Sequence, residues 1–244
     1  RGLALAALIV ALARPRSSSE ITKTKTTEGI DIILSIDMSS SMLAKDLKPN
    51  RIEALKRVAS HFIEQRTSDR IGIVVYSGES YTKVPATTDK SVVLQALKDI
   101  KQGEIDDGTA IGMGLGTAIN RLKDSKTKSK VIILMTDGVN NTGVIDPLSA
   151  AELAKEYGIR VYTIGIGTNG KALSPVAYNP DGSLQYDMVP VEIDERLLTQ
   201  IAEATGGHYF RATDNQKLAQ IYTEIDKLEK SKIEELKYYQ HKEN

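Results

Sequence analysis

Four short runs rich in Ile and Val, IDIILSID (30–37), RIGIVVYS (70–77), KVIILMTD (130–137) and IRVYTIGIG (159–167), constrain the fold of this 244-residue chain more than any other feature. They are almost continuously apolar rather than alternating, which is the pattern of strands buried on both faces of a mainly parallel sheet. Such a sheet needs cover on both sides, and amphipathic segments fill the gaps. Asn50 precedes RIEALKRVASHFIEQR, where Glu53 completes a capping-box-like pair and Ile52, Leu55, Ala59, Phe62 and Ile63 share one face. Asp89 opens KSVVLQALKDI, Asp146 with Pro147 opens a helix that Gly158 closes, and Asp194 opens ERLLTQIAEAT ahead of Gly206 and Gly207. YTKVPATT (81–88) contains Pro85 and fits an edge strand, while GHYFRA (207–212) reads as a last short strand. The NPDG stretch (179–182), flanked by apolar alternation, predicts a protruding β-hairpin. The order predicts a doubly wound α/β domain, a mainly parallel central sheet of about six strands with helices on both faces.

Charge and composition narrow the function. Lys+Arg and Asp+Glu both number 32, so no net field draws nucleic acid or an anionic substrate, and no nucleic-acid partner is expected. The absence of Cys excludes disulfides, thiolate metal sites and Cys nucleophiles.

The two ends read differently from the middle. GLALAALIVALA (2–13) is apolar and uncharged. Twelve helical residues reach only ~18 Å against a hydrocarbon core of about 30 Å, so residues 1–13 are expected to be the end of a truncated transmembrane helix. Residues 14–28 read as a polar linker and 29–230 as the folded domain. In the C-terminal run Leu218, Ile221, Ile225 and Leu228 form a face expected to pack on the sheet. Residues 231–244 read as a charged helical tail leading toward a further membrane segment, with Tyr238 and Tyr239 at the interface.

In a doubly wound sheet, ligands sit beyond the carboxyl ends of the strands, where the winding reverses. Asp37 ends the first strand and Asp137 the fourth. Asp37, Ser39 and Ser41 recur at i, i+2 and i+4, so a curled loop can turn all three toward one point. A second loop, DDGTAIGMG, brings Thr109 to a helix start. An ordinary turn accounts for Ser and Asp one at a time, but not for three separated segments supplying matched oxygens. Two carboxylates and three hydroxyls form a hard oxygen set suited to Mg²⁺ or Mn²⁺ and poorly suited to Zn²⁺. The two negative charges balance a divalent ion, and Mg²⁺, which prefers six ligands, would keep a position open to an incoming acidic group.

Rival chemistries fit less well. GIGTNG (165–170) matches a dinucleotide fingerprint, but KALSPVAYNP follows it instead of a helix, so no nucleotide is expected. In GMGLG (112–116) the small residues at 112 and 116 are expected to let a helix approach the sheet. A metal-dependent, phosphatase-like hydrolase is the alternative use of the same rim. The haloacid-dehalogenase pattern, however, needs a second Asp two residues after Asp37, where Ser39 stands. Ser39 and Ser41 lack a G-x-S-x-G elbow. His61 lies on the solvent side of a helix, His208 precedes a late strand and His241 is in the tail, so none is positioned as a base. Asp106 and Asp107 read as loop caps near the ion. The chain is therefore expected not to be an enzyme.

DMSSS (37–41), Thr109 and TDG (136–138) together resemble the metal-ion-dependent adhesion site of von Willebrand factor A-type domains, whose pattern is Asp-x-Ser-x-Ser, a distant Thr and a distant Asp. Residue 40, often Gly in such domains, is Ser here and is not a ligand position. SMLAKDLKPNRIEALK, TDGVNNTG and TGGHYFRATD are similar to the Bat-type aerotolerance membrane proteins, closest to the A member. The resemblance, over roughly 29–230, implies a domain tethered to a bacterial inner membrane by flanking helices. It further implies a metal set of Asp37, Ser39, Ser41, Thr109 and Asp137, and a protein ligand that donates an Asp or Glu carboxylate. Other von Willebrand factor A-type membrane proteins are expected among the partners. Arg14, Arg16, Lys23 and Lys25 favour a cytoplasmic linker by the positive-inside rule, whereas the resemblance implies a periplasmic domain, which is the expectation adopted.

Overall fold

The computed structural model describes residues 29–242, with side chains up to Lys230. The membrane helix and linker expected over 1–28, and the side chains of Tyr238, Tyr239 and His241, lie outside the described residues. Six strands form the central sheet: β1 (Asp31–Asp37), β2 (Arg70–Tyr76), β3 (Ser80–Thr87), β4 (Lys130–Thr136), β5 (Ile159–Ile166) and β8 (Tyr209–Ala212), in the order β3-β2-β1-β4-β5-β8. All pairings are parallel except that of β3, the Pro85 strand, which runs antiparallel along the edge of β2 with register shifts. A separate antiparallel hairpin, β6 (Lys171–Tyr178) and β7 (Leu184–Pro190), turns at the NPDG stretch.

Helices cover both faces because the strands are apolar on both. On one side, α1 (Arg51–Glu64), α2 (Lys90–Lys98) and α6 (Asn215–Lys242) bury Leu55, Ile63, Val93, Leu97, Leu218, Ile221 and Ile225 against Ile32, Leu34 and Ile36 of β1. On the other, α3 (Ile111–Leu122), α4 (Pro147–Glu156) and α5 (Glu195–Ala204) pack Leu115, Ile119, Ala154, Leu198 and Ile201 onto Ile33, Val74, Ile132 and Leu134. Alternate residues of β1 thus serve opposite cores.

The helix ends follow their caps. Asp89, Asp146 and Asp194 each accept backbone amides of the first turn, and Gly158 and Gly206 close α4 and α5 with positive φ. Asn50 accepts from Glu53 N at 2.9 Å, but the Glu53 carboxylate turns to Lys56 at 2.8 Å. Only half of the expected capping box is made, because a cation one turn on competes for the same side chain.

The glycines of α3 correct one expectation. Gly112 and Gly116 do not face the sheet: a Cβ at 112 would lie 2.0 Å from Ile145 O, and one at 116 would lie 3.1 Å from Ile145 Cδ1. Both point at the segment leading into α4. The residue that lets the helix approach the sheet is Gly114, where a Cβ would come within 2.4 Å of the Tyr76 ring. Spacing of four marks one helix face, and that face here meets a loop.

α6 runs the height of the sheet. Its first residue, Asn215, bonds the backbone of Lys48 at the carboxyl end, whereas buried Glu229 accepts from Arg160, Tyr162 and Ser129 at the opposite end. Fourteen residues of helix rise ~21 Å and seven of strand ~23 Å, so helix and sheet match in length. β1 also begins at that opposite end, so residue 29 and the end of α6 both lie away from Asp37. None of the helices among the described residues is long and apolar enough to cross a membrane.

Tyr76 is fully buried and its hydroxyl donates to Met135 O at 2.9 Å, so it has nowhere to move. Gly114→Ala should therefore destabilise the domain by about 2 kcal/mol through overpacking. Gly116→Ala, facing the half-exposed and movable Ile145, should be neutral or stabilise by up to ~1 kcal/mol through helix propensity. Urea unfolding of the two variants checks this; equal effects would contradict the orientation of α3.

Candidate metal site at the sheet rim

The rim forms where the winding reverses, between β1 and β4. Met38 N still reaches Tyr76 O at 2.7 Å, after which the chain leaves the sheet into a short 3₁₀ turn, Ser40–Leu43. Asp37 is wholly buried; its Oδ1 accepts from Ser39 N at 2.8 Å and its Oδ2 from Thr136 Oγ1 at 2.6 Å. The Ser39 and Ser41 hydroxyls stand 2.9 Å apart, and Ser41 Oγ donates to Asp137 Oδ1 at 2.6 Å. The fifth residue, Thr109, lies against the segment that carries Asp137. A Cβ at Gly138 would stand 3.4 Å from Thr109 Oγ1, Thr109 N donates to Asn141 Oδ1 at 2.9 Å, and Asn141 N returns to Thr109 O. The fold thus brings Asp37, Ser39, Ser41, Thr109 and Asp137 to one rim.

Several neighbours escaped the sequence reading. Asn140 Oδ1 accepts from Ile111 N at 2.9 Å and fixes the start of α3 beside Thr109. Asp107 accepts from both the amide (2.8 Å) and the hydroxyl (2.6 Å) of Ser40, so the residue often found as Gly pins the metal loop instead. Most consequential is Arg51, only 2% exposed, whose Nη1 donates to Asp137 Oδ2 at 2.7 Å. Its Nε and Nη2 take both oxygens of Asp46, at 2.8 and 2.6 Å. A signal was present: Arg51 is the first residue of α1, and a cation is disfavoured at the positive end of a helix unless anions hold it there.

The remaining candidates lie elsewhere or serve the frame. His61 and His208 are exposed and away from the rim. The glycine-rich stretch after β5 leads into β6, with no helix to receive a phosphate. The hairpin borders the rim: Met38, Ser40 and Leu43 face Pro175, Val176, Tyr178 and Leu184 across a cleft of about 490 Å³ that Asp106 and Asp107 also line.

Both rim carboxyls are shifted upward. Burial, and then repulsion from Asp137, push the Asp37 carboxyl up to about 7. Burial raises Asp137 as well, although Arg51 works against it. Two buried carboxylates, a hydroxyl cluster and no imidazole or thiolate fit a hard divalent cation, which would relieve the like-charge repulsion.

With six strands in this order and helices on both faces, the chain defines itself as a doubly wound α/β domain. Residues 31–224 match the von Willebrand factor type A domain, and the chain belongs to that family. It is 30% identical to BatB of Bacteroides thetaiotaomicron, whose structure matches with a TM-score of 0.70 over 83% of this chain and 100% of that one. An aerotolerance-related membrane protein of Bacteroides fragilis is 26% identical, with a TM-score of 0.69 over 82% of this chain and 98% of the other. An uncharacterized protein of Borreliella burgdorferi is 31% identical over 214 residues, 87% of this chain; the chain spans 62% of that relative's length.

Below about pH 7 Asp37 holds a proton that a cation must displace. The apparent affinity for Mg²⁺ should therefore rise about tenfold per pH unit between pH 5 and 7 and level off above. Calorimetric titration across pH 5–8 checks this; an affinity independent of pH would show that Asp37 is ionised before the ion arrives.

Proposed function

We propose that the chain is a membrane-tethered protein-binding module that captures a partner's Asp or Glu side chain through Mg²⁺ or Mn²⁺ held by Asp37, Ser39, Ser41, Thr109 and Asp137. The Ser39 and Ser41 hydroxyls, 2.9 Å apart and bonded to one of two buried, mutually repelling carboxylates, with Thr109 beside Gly138, carry this reading. The ion would supply an electrophilic coordination position for one anionic oxygen. The chain's own residues do the rest. The two carboxylates neutralise charge, and Asp107 holds the loop in shape through Ser40.

Binding, not turnover, suits the side chains present. Each Asp37 oxygen already accepts a bond from Ser39 N or Thr136, and each Asp137 oxygen one from Ser41 or Arg51. Neither carboxylate is poised to take a proton from water, and we infer no hydrolase activity. The placement of the ends fits a tether: residue 29 and the far end of α6 lie opposite the rim, so a membrane anchor there would present the rim outward. We place the domain in the periplasm of a bacterial inner-membrane protein, in an aerotolerance or stress-related complex. Residues 41–56, 136–143 and 205–214 favour the A member of the Bat-type proteins, and other von Willebrand factor A-type membrane proteins are candidate partners.

A pull-down from detergent-solubilised membranes, with and without chelator, tests the reading. Wild type should retain its partner only with Mg²⁺ or Mn²⁺, and Asp37→Ala should lose it in both conditions. Thr109→Ala should weaken retention about tenfold while changing stability by less than about 1 kcal/mol, because the bonds between Thr109 and Asn141 are made through the Thr109 backbone and survive the substitution. Retention that ignores the chelator would mean that the partner binds another face.

A further inference from the structure

Arg51 sits where a metal site has least use for it. Its guanidinium is one hydrogen bond from a carboxylate of the rim and almost wholly shielded from solvent, so its charge acts on the rim with little screening. Behind it stands Asp46, with a side chain 5% exposed, bonded through both oxygens. The three groups line up as anion, cation, anion, from the rim inward: Asp137, Arg51, Asp46.

This ladder is fixed from a third direction. Thr168 N donates to Asp46 Oδ2 at 2.8 Å, and a Cβ at Gly167 would lie 2.8 Å from Arg51 Nη2, so the segment after β5 lies directly on the guanidinium. That segment is itself held by Arg211, which donates to Gly167 O and Thr168 O, and it leads into β6. The metal loop meets the hairpin a second time through Lys45 N and Leu173 O, at 2.9 Å. Hairpin and rim are therefore joined through Asp46 and Arg51.

We propose that Arg51 is a positioning residue that sets the rim's affinity for its ion, and that Asp46, anchored on the loop entering the hairpin, sets how strongly Arg51 acts. This rests on the metal-binding reading above. A cation bonded to Asp137 withdraws part of that carboxylate's charge and repels an incoming cation, so the rim holds its ion more loosely than its two carboxylates alone would. Asp46 pulls in the opposite sense by drawing the guanidinium away. Displacement of the loop at 167–168 by a partner seated on the hairpin would then change ion affinity without touching a ligand.

The sign separates this role from a structural one. If Arg51 served only to hold Asp137 in place, its loss would weaken the ion. Here Arg51→Met should bind Mg²⁺ and Mn²⁺ about tenfold more tightly than wild type, and Asp46→Asn several-fold more weakly. Arg51→Lys, which keeps the charge, should stay within about threefold. The double variant Arg51→Met with Asp46→Asn avoids stranding a buried anion, and should still exceed wild type because the nearer charge dominates. Calorimetric titration of the purified chain with each ion at pH 8, with folding checked by circular dichroism, reads all four. If Arg51→Met fails to fold, the double variant and Arg51→Lys carry the comparison. Ion affinity unchanged or weakened in folded Arg51→Met or in the double variant, or a tightened affinity in Asp46→Asn, overturns the proposal while leaving the metal site standing. A wild-type chain that binds neither ion overturns both.

Discussion

Two carboxylates buried side by side at the reversal point of the sheet impose the central constraint on this molecule. Asp37 ends β1 and Asp137 directly follows the neighbouring parallel strand β4, so the backbone ladder that builds the core also brings the two charges together. Burial makes each harder to ionise, and proximity adds repulsion. Everything around them relieves that strain in part. Thr136, Ser41 and the amide of Ser39 donate to them, and Arg51 supplies one positive charge. Arg51 is shared between Asp137 and Asp46, so the two rim carboxylates keep net negative charge.

The same constraint orders the rest of the fold. A doubly wound sheet collects its carboxyl-end loops at one pole and its amino-end loops at the other. α6 makes use of this: Glu229 locks its lower part to Arg160 and Tyr162 at the far pole, while Asn215 stays beside the metal loop at the near one. The hairpin is the one element that joins neither face of the sheet. Leu173, Val176, Tyr178 and Met188 remain exposed on it, beside the rim rather than under it. Apolar surface left uncovered next to a charged site is a docking feature more often than a packing failure.

Much of this was legible in the sequence, and the misses have physical causes. Strands buried on both faces cannot alternate, so β1, β2, β4 and β5 announced themselves as continuous runs, and their ends shifted by only a residue where the ladder to a neighbour stops. Caps were legible because they act within three residues. The orientation of α3 was not, because which glycine meets Tyr76 depends on a helix rotation fixed by partners 38 or more residues away. The candidate ligands at 37, 39 and 41 stood out through local spacing, which needs no distant partner to be read. Arg51 was missed because its bond to Asp137 spans 86 positions, and no local pattern carries such a contact. The helix dipole argument would have flagged it: a buried Arg at the first residue of a helix needs anions, and the unassigned Asp46 stood five residues earlier.

The division of labour at the rim follows from where charge can be afforded. Carboxylates turned outward would be solvated and weakly interacting, whereas carboxylates turned inward keep their field but need bonded support. This chain buries both and sets the Ser39 and Ser41 hydroxyls, 2.9 Å apart, beside Asp137. A cation held there would share the carboxylates with the bonds that Ser41, Thr136 and Arg51 already make to them, and so be incompletely neutralised. Arg51 reduces their pull further. An ion so held would stay responsive to one additional anionic oxygen, and the hairpin, whose entering loop rests on the same guanidinium, would share in that response.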